Sequence, residues 1–364
     1  MNADAFIIPF AKKSGCTSFS SLNAIKKAYE TKKVGHSGTL DKFADGVMIA
    51  LVGQGTRLSS FFLASDKRYT ACFVFGIETE TLDPEGAIMR TEKLPRLDRF
   101  NSVLPCFVGQ IQQAPPAYSS IHIAGKRASD RARSGEKLEL KPRPISIYEL
   151  RILSMETIVG DDNEKYVRTA ILDIACSKGT YIRSLCRDIA YASGSVGFVS
   201  ALRRTAIGDF LLDTCAAADE LEPFTHIAEK HTKAILEQCQ TNDDGKFFCT
   251  SDSERIAKPL TKELLTKEAI LKSALSFTRD MALRLGLFVC EIKHEFLKAF
   301  VSGQRIRSFW FSDMCIERKN KAAENATDLE KKYYAVFYGT RFCGIIEILG
   351  FRFSYQFVLP VFTA

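Results

Sequence analysis

The chain has 364 residues, 46% of them apolar, and carries 50 Lys+Arg against 43 Asp+Glu for a formal net charge of +7. That length supports a full hydrophobic core and two domains. Its eleven cysteines stand singly from Cys16 to Cys343 without a C-x-x-C pair, which excludes a disulfide framework and a zinc ribbon; the apolar core of MNADAFIIPFAKK is too short for a signal peptide, and no run is long enough to span a bilayer.

AFIIPF reads as a short strand. SSLNAIKKAYE follows as a helix, with Ser20 or Ser21 as N-cap and Leu22, Ile25 and Tyr29 on one face. A glycine-punctuated loop, VGHSGTLDKFADG, leads into the compact strand VMIALV. RLSSFFLAS reads as a helix, YTACFVFG from Tyr69 as an aromatic-rich strand, and LDRFNSVLPCFVG as another helix. Pro115–Pro116 bars a central strand or helix interior, so the polar, basic stretch over about residues 110–145 reads as an excursion from the core.

ISIYELRIL and YVRTAILDIAC alternate as strands around the turn GDDNEK. SKGTYIRSLCRDIAYASG has helix grammar: Gly179–Thr180 at its start, Ile182, Leu185 and Ile189 as its stripe, Gly194 as C′. Elements without a strict βαβ rhythm predict an α+β fold around a mixed, largely antiparallel sheet with flanking helices. LFVCEI, the helix HEFLKAFVSG, YYAVFYG, RFCGIIEIL and FSYQFVLPVF predict a small C-terminal β domain. The expected organisation is a domain over 1–225, a polar linker or insertion with some helix over 226–286, and the β domain over 287–364.

Charge is unevenly placed. Lys12, Lys13, Lys26, Lys27, Lys32 and Lys33 meet only Glu30 in acid; GKRASDRARSGEKLELKPR from Gly125 is a second basic cluster and Arg203–Arg204 a third. Such patches suit a polyanionic partner, although any one alone is more often a solvated helix face.

Asp41 is the chemically distinctive residue, a single carboxylate in a glycine-rich loop with His36 five residues before it. One acid does not make the paired carboxylates of a glycosidase or an aspartic-protease dyad. It can stabilise or covalently trap an electron-poor sugar carbon when a C–N glycosidic bond opens. Gly35, Gly38 and Gly46 would let backbone approach a substrate, with Thr39-Leu40 and Val47-Met48 anchoring both flanks in the core. By itself an Asp here more commonly caps a turn, Tyr69 reads as core, Arg183 as a surface charge and His36 as a turn residue.

GHSGTLDKFADG resembles the catalytic-aspartate motif of the TruB family of tRNA pseudouridine synthases, roughly G-H-x-G-x-L-D-P-x-A-x-G. SDKRY at Ser65–Tyr69, GQIQQAPPAYSSIHIAGKRASDRARSG, RPISIYEL, CSKGTYIRSLCRDIA and LRRTAIG follow in the family's order, so that the resemblance covers about residues 5–215. VSGQRI and FCGIIEIL are more loosely similar to the family's PUA-type RNA-binding domain, whose removal is expected chiefly to weaken RNA affinity.

The resemblance implies a pseudouridine-synthase fold with a PUA-like C-terminal domain. The implied reaction converts U55 in the T loop of tRNA to pseudouridine: the base flips out, C1′–N1 is cleaved and C5 rejoins C1′. It implies no metal, nucleotide or redox cofactor, no guide RNA or protein partner, and a cytoplasmic monomer. Asp41 falls on the catalytic aspartate, Tyr69 on the tyrosine that stacks on the uracil and assists proton removal at C5, and Arg183 on the arginine paired with the aspartate. His36, Lys67, Lys12, Arg203 and Lys126 fall among the RNA-facing positions, Leu202 on an apolar wall of the pocket, and the excursion on a segment that clasps the T arm.

The sequence departs from the pattern at several positions. Ala11 and Lys13 replace an acid and a proline, Lys42 a proline, Asp45 a threonine, Ser129 a tyrosine and His122 a lysine. These changes bear on loop conformation and RNA docking. A non-catalytic RNA-binding protein and a guide-dependent synthase of the H/ACA type are the competing classes; the Asp41–Tyr69–Arg183 set disfavours the first and the basic excursion the second.

Overall fold

The run VMIALV is apolar at every position, and the architecture shows why: that strand is covered on both faces. The structure is a computed structural model that describes residues 5–119, 121–123, 125–136, 140–241, 247–249, 265–312 and 331–359. In chain order it forms β1 (Phe6–Lys12), α1 (Asn23–Ala28), β2 (Val34–His36), β3 (Asp45–Val52), α2 (Ser59–Leu63), β4 (Lys67–Phe75), the pair β5 (Ile77–Thr79) and β6 (Ile88–Thr91), α3 (Leu97–Val103) and β7 (Gly109–Gln113). The basic excursion holds β8 (His122–Ile123), β9 (Lys126–Arg127) and α4 (Ala128–Arg133), and the chain returns through β10 (Arg143–Val159), β11 (Lys165–Cys176), α5 (Ile182–Ala192), β12 (Gly197–Ile207) and β13 (Phe210–Leu211). Next come α6 (Phe224–Leu236), β14 (Cys239–Thr241), β15 (Phe247–Cys249), α7 (Lys267–Lys272), β16 (Leu275–Ser276) and α8 (Arg279–Arg284). The C-terminal part is β17 (Phe288–Ile292), α9 (His294–Val301), β18 (Phe311–Ser312), β19 (Lys331–Tyr338), β20 (Arg341–Leu349) and β21 (Arg352–Val358).

A ten-stranded sheet runs β16-β1-β3-β12-β4-β11-β10-β7, with β2 on β3 and β13 on β12. The β3–β12 pair is parallel and its other neighbours are antiparallel, as the α+β expectation requires. Alternation along β1 and β3 sorts side chains to two faces. Ile8, Phe10, Met48, Ala50 and Val52 join one core with α1 and α5. Ile7, Val47, Ile49 and Leu51 join another with α2 and the C-terminal sheet.

That second core corrects one expectation. Phe337, Phe342 and Phe357, with Phe277 before them, are buried against β1 and β3, so the C-terminal part is packed into the ten-stranded sheet as well as around its own centre at Phe300 and Trp310. The stretch read as a linker also returns to the sheet. α7 lies against α1 with Ile270 fully buried, and β16 pairs with β1 through Phe6↔Ser276 and Ile7↔Leu275. Phe224–Leu236 forms a helix over Cys72 and Ala201; part of the same stretch lies outside the described residues.

Local grammar held at α5, where Gly194 at φ +78 closes a Schellman motif through Ser195 N–H to Ala190 O at 2.9 Å and Gly194 N–H to Tyr191 O at 3.0 Å. It failed at α1. A short 3-10 turn, Ser20–Leu22, precedes the helix, and it is Thr17 Oγ1 that accepts from Ser20 N–H at 3.0 Å. The central strand β12 has no counterpart in the sequence reading, because Arg203 and Arg204 interrupt its apolar pattern.

Gly46 sits at φ +106, where a Cβ would lie 2.2 Å from the Arg204 carbonyl oxygen and 2.7 Å from its nitrogen. The glycine admits the neighbouring strand, not a substrate. Gly46→Ala is therefore expected to destabilise the fold by about 2–4 kcal/mol, from overpacking and left-handed strain together, read as a lower urea midpoint at unchanged slope. Deleting residues 287–364 is expected to uncover Ile7, Val47, Ile49 and Leu51; the remainder should denature earlier and bind an apolar dye, and an unaltered midpoint would contradict the shared core.

Candidate active site

The loop that carries Asp41 joins β2 to β3 and is fastened from two sides. On one side stands the buried Lys12, whose ammonium donates to the carbonyls of Ala44 at 2.6 Å, Cys16 at 2.8 Å, Lys13 at 2.9 Å and Lys42 at 3.3 Å. Ser14 Oγ donates to Phe43 O at 2.7 Å, Gly15 N–H to Lys42 O at 2.7 Å, and Ser18 Oγ both donates to Leu40 O and accepts from Leu40 N–H. On the other side Arg204 donates from Nε to Val47 O at 2.8 Å and from Nη1 to Thr39 O at 3.4 Å. Leu40, Phe43 and Ala44 are buried, and the Asp41 side chain, 32% exposed, emerges from the clamped loop.

Asp41 meets Arg183 through a two-point fork, Nε to Oδ2 at 2.8 Å and Nη2 to Oδ1 at 3.0 Å. This is the geometry for which a guanidinium is suited and an ammonium is not. Arg183 is buried and its remaining donors reach Thr81 O at 2.8 Å and Tyr118 O at 3.0 Å. It sits in the first turn of α5. That turn is docked by Gln113, whose side chain accepts from Tyr181 N–H at 2.8 Å and donates to Tyr181 O at 3.2 Å, and by Ser184 Oγ on Ala114 O at 2.9 Å. The QQAPPAY segment thus frames the arginine before the chain departs into the excursion.

A second acid stands here that the sequence reading did not include. Asp83 lies 3.4 Å from Arg183 Nη1, on a tight turn held by Thr79 Oγ1 donating to Asp83 O at 2.7 Å, Glu85 N–H donating to Asp83 Oδ1 at 3.0 Å, and Thr81 Oγ1 donating to the same oxygen. Burial pushes the Asp83 carboxyl up to about 6, against the opposing pull of Arg183. The signal available in the sequence was T-E-T-L-D-P-E-G, an acid followed by a glycine whose Cβ would collide with Thr81. Lys42, which replaces the usual proline, pairs with Glu85 of the same turn at 2.8 Å; both partners are exposed enough that the pair adds little stability.

Tyr69, on β4, is 8% exposed and packs in the core that includes Phe73 and Leu202. Burial raises its hydroxyl above the ordinary value; Arg204 opposes this and Asp41 reinforces it, which places all three groups in one electrostatic neighbourhood. His36 is half-buried, its Nδ1 accepting from Gly38 N–H at 3.3 Å; burial and then Arg204 lower its pKa below the usual imidazole value. Among the described residues no three His, Cys, Asp or Glu side chains gather as a metal site.

Three of the residues expected to face RNA have partners inside the protein. Lys12 is 1% exposed and clasps the loop, so its charge is not presented to a phosphate. Arg203 forms a two-point pair with the buried Asp45 at 2.6 and 2.7 Å and donates to Glu222 O at 2.7 Å; Asp45, the departure from threonine, supplies its counter-charge. The Lys67 ammonium folds back on the carbonyls of Leu63 and Ser65, and burial followed by Arg204 brings it down to about 8. Lys126 lies on β9, and its side chain is outside the described atoms. Lys27, Lys32 and Lys33 are exposed, and Lys26 lies over the ring of Phe19 at 3.9 Å.

A family model described as TruB family pseudouridylate synthase (N terminal domain) matches residues 26–182. The tRNA pseudouridine synthase B of Treponema denticola is 41% identical over 357 residues, covering 94% of this chain and 94% of that protein. The protein of the same name from Treponema pallidum (strain Nichols) is 36% identical over 368 residues, covering 97% and 96%. A chain of a Cbf5-Nop10-Gar1 complex superposes with a TM-score of 0.58 over 98% of this chain and 85% of that one, at 20% identity, which shows a shared fold alone. The chain belongs to the TruB family of pseudouridine synthases.

Proposed function

We propose that this enzyme acts alone on tRNA and converts the T-loop uridine, U55, to pseudouridine, with Asp41 at the ribose C1′. The observation that carries this reading is the fork between Asp41 and the buried Arg183: one acid is aimed at the surface by a guanidinium that is itself anchored to backbone. The names of the Treponema relatives support tRNA as substrate. The target uridine is stacked in folded RNA and leaves the stack before reaction. Unstacking costs a few kcal/mol, and a stack on Tyr69 returns about 1–3 kcal/mol. Asp41 then assists opening of C1′–N1, the uracil turns within the site, and C5 rejoins C1′.

In this reading the exposed lysines after α1 and the basic excursion hold the RNA backbone, His36 borders the place where the base leaves the stack, and Leu202 contributes an apolar wall. Residues 1–225 are the catalytic part and 287–364 an RNA-binding part. The docking of the excursion's base onto α5 supports a synthase that grips the T arm without a guide RNA or a partner protein, as a monomer. None of the described helices is long and apolar enough to cross a membrane, and we place the enzyme with its tRNA substrate in the cytoplasm.

Asp41→Asn is expected to lower the single-turnover rate by at least about 10³-fold, the scale for loss of a group acting at the reacting carbon, with tRNA affinity changed only a few-fold; pseudouridine formed at the wild-type rate would refute the assignment. Arg183→Lys keeps charge but loses the fork and is expected to cost about 10²-fold in the same assay. Protonating Asp83 removes one of the two charges that hold Arg183. The rate is therefore expected to fall as pH drops through about 6, and Asp83→Asn should be slower yet lack that acid limb in its pH–rate profile.

A further inference from the structure

Arg204 is the largest fully buried side chain of the described protein, 2% exposed. Its hydrogen bonds go to two carbonyl oxygens, no carboxylate of the described residues pairs with it, and its Nη2 is buried without a partner. A buried cation without a counter-ion costs several kcal/mol in a folded protein, so its position asks for a use beyond bracing a loop. In the ladder, Arg204 stands directly opposite Tyr69 on one side and Gly46 on the other. Cross-strand partners share a face of the sheet, and the guanidinium acts on the Tyr69 hydroxyl both as a nearby positive charge and as a hydrogen-bonding group. His36, Lys67 and Lys12 feel the same charge.

We propose that Arg204 is a positioning residue for the isomerisation, acting through Tyr69: it turns the phenol oxygen toward the flipped base and stabilises the negative charge on that oxygen while the C5 proton is removed. The inference rests on the reading of Asp41 and Tyr69 given above. After C5 has joined C1′, the C5–H bond breaks and its electron pair forms C5=C6. The N1=C6 pair returns to N1, which takes a proton from water. The C5 proton passes to the Tyr69 oxygen, which had released its own proton to solvent. The carboxylate of Asp41 raises the cost of charge on this oxygen, and Arg204 is the cation that offsets it.

The test is a single-turnover assay with the full chain and a T stem-loop RNA that carries either uridine or [5-²H]uridine at the target. Arg204→Gln is expected to slow conversion by about 10²-fold, the lower scale of an acid–base contribution, with RNA affinity within about threefold. The deuterium effect should exceed that of the wild type, because proton removal has become slow. Combined with Tyr69→Phe, the substitution should cost little more than Tyr69→Phe alone. A slow variant with an unchanged isotope effect and a full additional loss in the Tyr69→Phe background would reduce Arg204 to a loop brace and overturn the inference, as would wild-type activity. If Arg204→Gln does not fold, Arg204→Lys is read in the same cycle, with a smaller loss and a raised isotope effect expected and an unchanged effect overturning the idea. Failure of the wild-type chain to convert the RNA would instead remove the parent reading.

Discussion

Lys12, Arg183 and Arg204 are buried cations, and each must find acceptors inside the protein because leaving an ion unsatisfied there costs several kcal/mol. The loop around Asp41 and the start of β3 supply acceptors to all three. Lys12 takes the carbonyls at Lys42 and Ala44, Arg204 those at Thr39 and Val47, and Arg183 the carboxylate of Asp41 itself. The desolvation demand of three side chains is thereby converted into a fixed backbone. A short glycine-punctuated loop that would otherwise sample many conformations is held at both ends and in the middle.

This arrangement also explains why the site tolerates the departures from the family pattern. Proline at position 42 would stiffen the loop through its ring; here Lys42 still offers its carbonyl to Lys12 and Gly15, and its side chain turns to Glu85. Asp45 replaces a threonine yet sits buried against Arg203, so an added negative charge is matched by a fork of donors. The loop conformation depends on backbone carbonyls, which every residue type carries.

The C-terminal sheet has a double attachment. It has a core of its own around Phe300 and Trp310 and lends aromatic side chains to the back of β1 and β3. Full burial of an aromatic side chain is worth roughly 1.5–3 kcal/mol, so this contact ties the C-terminal sheet to the sheet whose strand β3 follows the Asp41 loop. A rigid relation between the two suits recognition of a folded RNA by shape.

Much of the fold was legible because hydrophobic period and turn residues are local signals. The strands at Phe6–Lys12, Asp45–Val52 and Lys67–Phe75, the α5 stripe with its Gly194 cap, and the five C-terminal segments all follow from them. Motif order likewise singled out Asp41, Tyr69 and Arg183. The strand at Gly197–Ile207 was not legible, since two consecutive arginines belong in a core only when acceptors from other strands meet them. For the same reason the sequence did not show that Lys12 fastens backbone carbonyls and Arg203 the carboxylate of Asp45 inside the protein. Asp83 was hidden as one acid among many, and its placement against Arg183 exists only after the β5–β6 turn and α5 have come together. The sequence by itself determined which residue types were available, their local conformations and the family. Tertiary structure decided which charges are buried and what they pair with, because desolvation depends on neighbours that lie far apart along the chain.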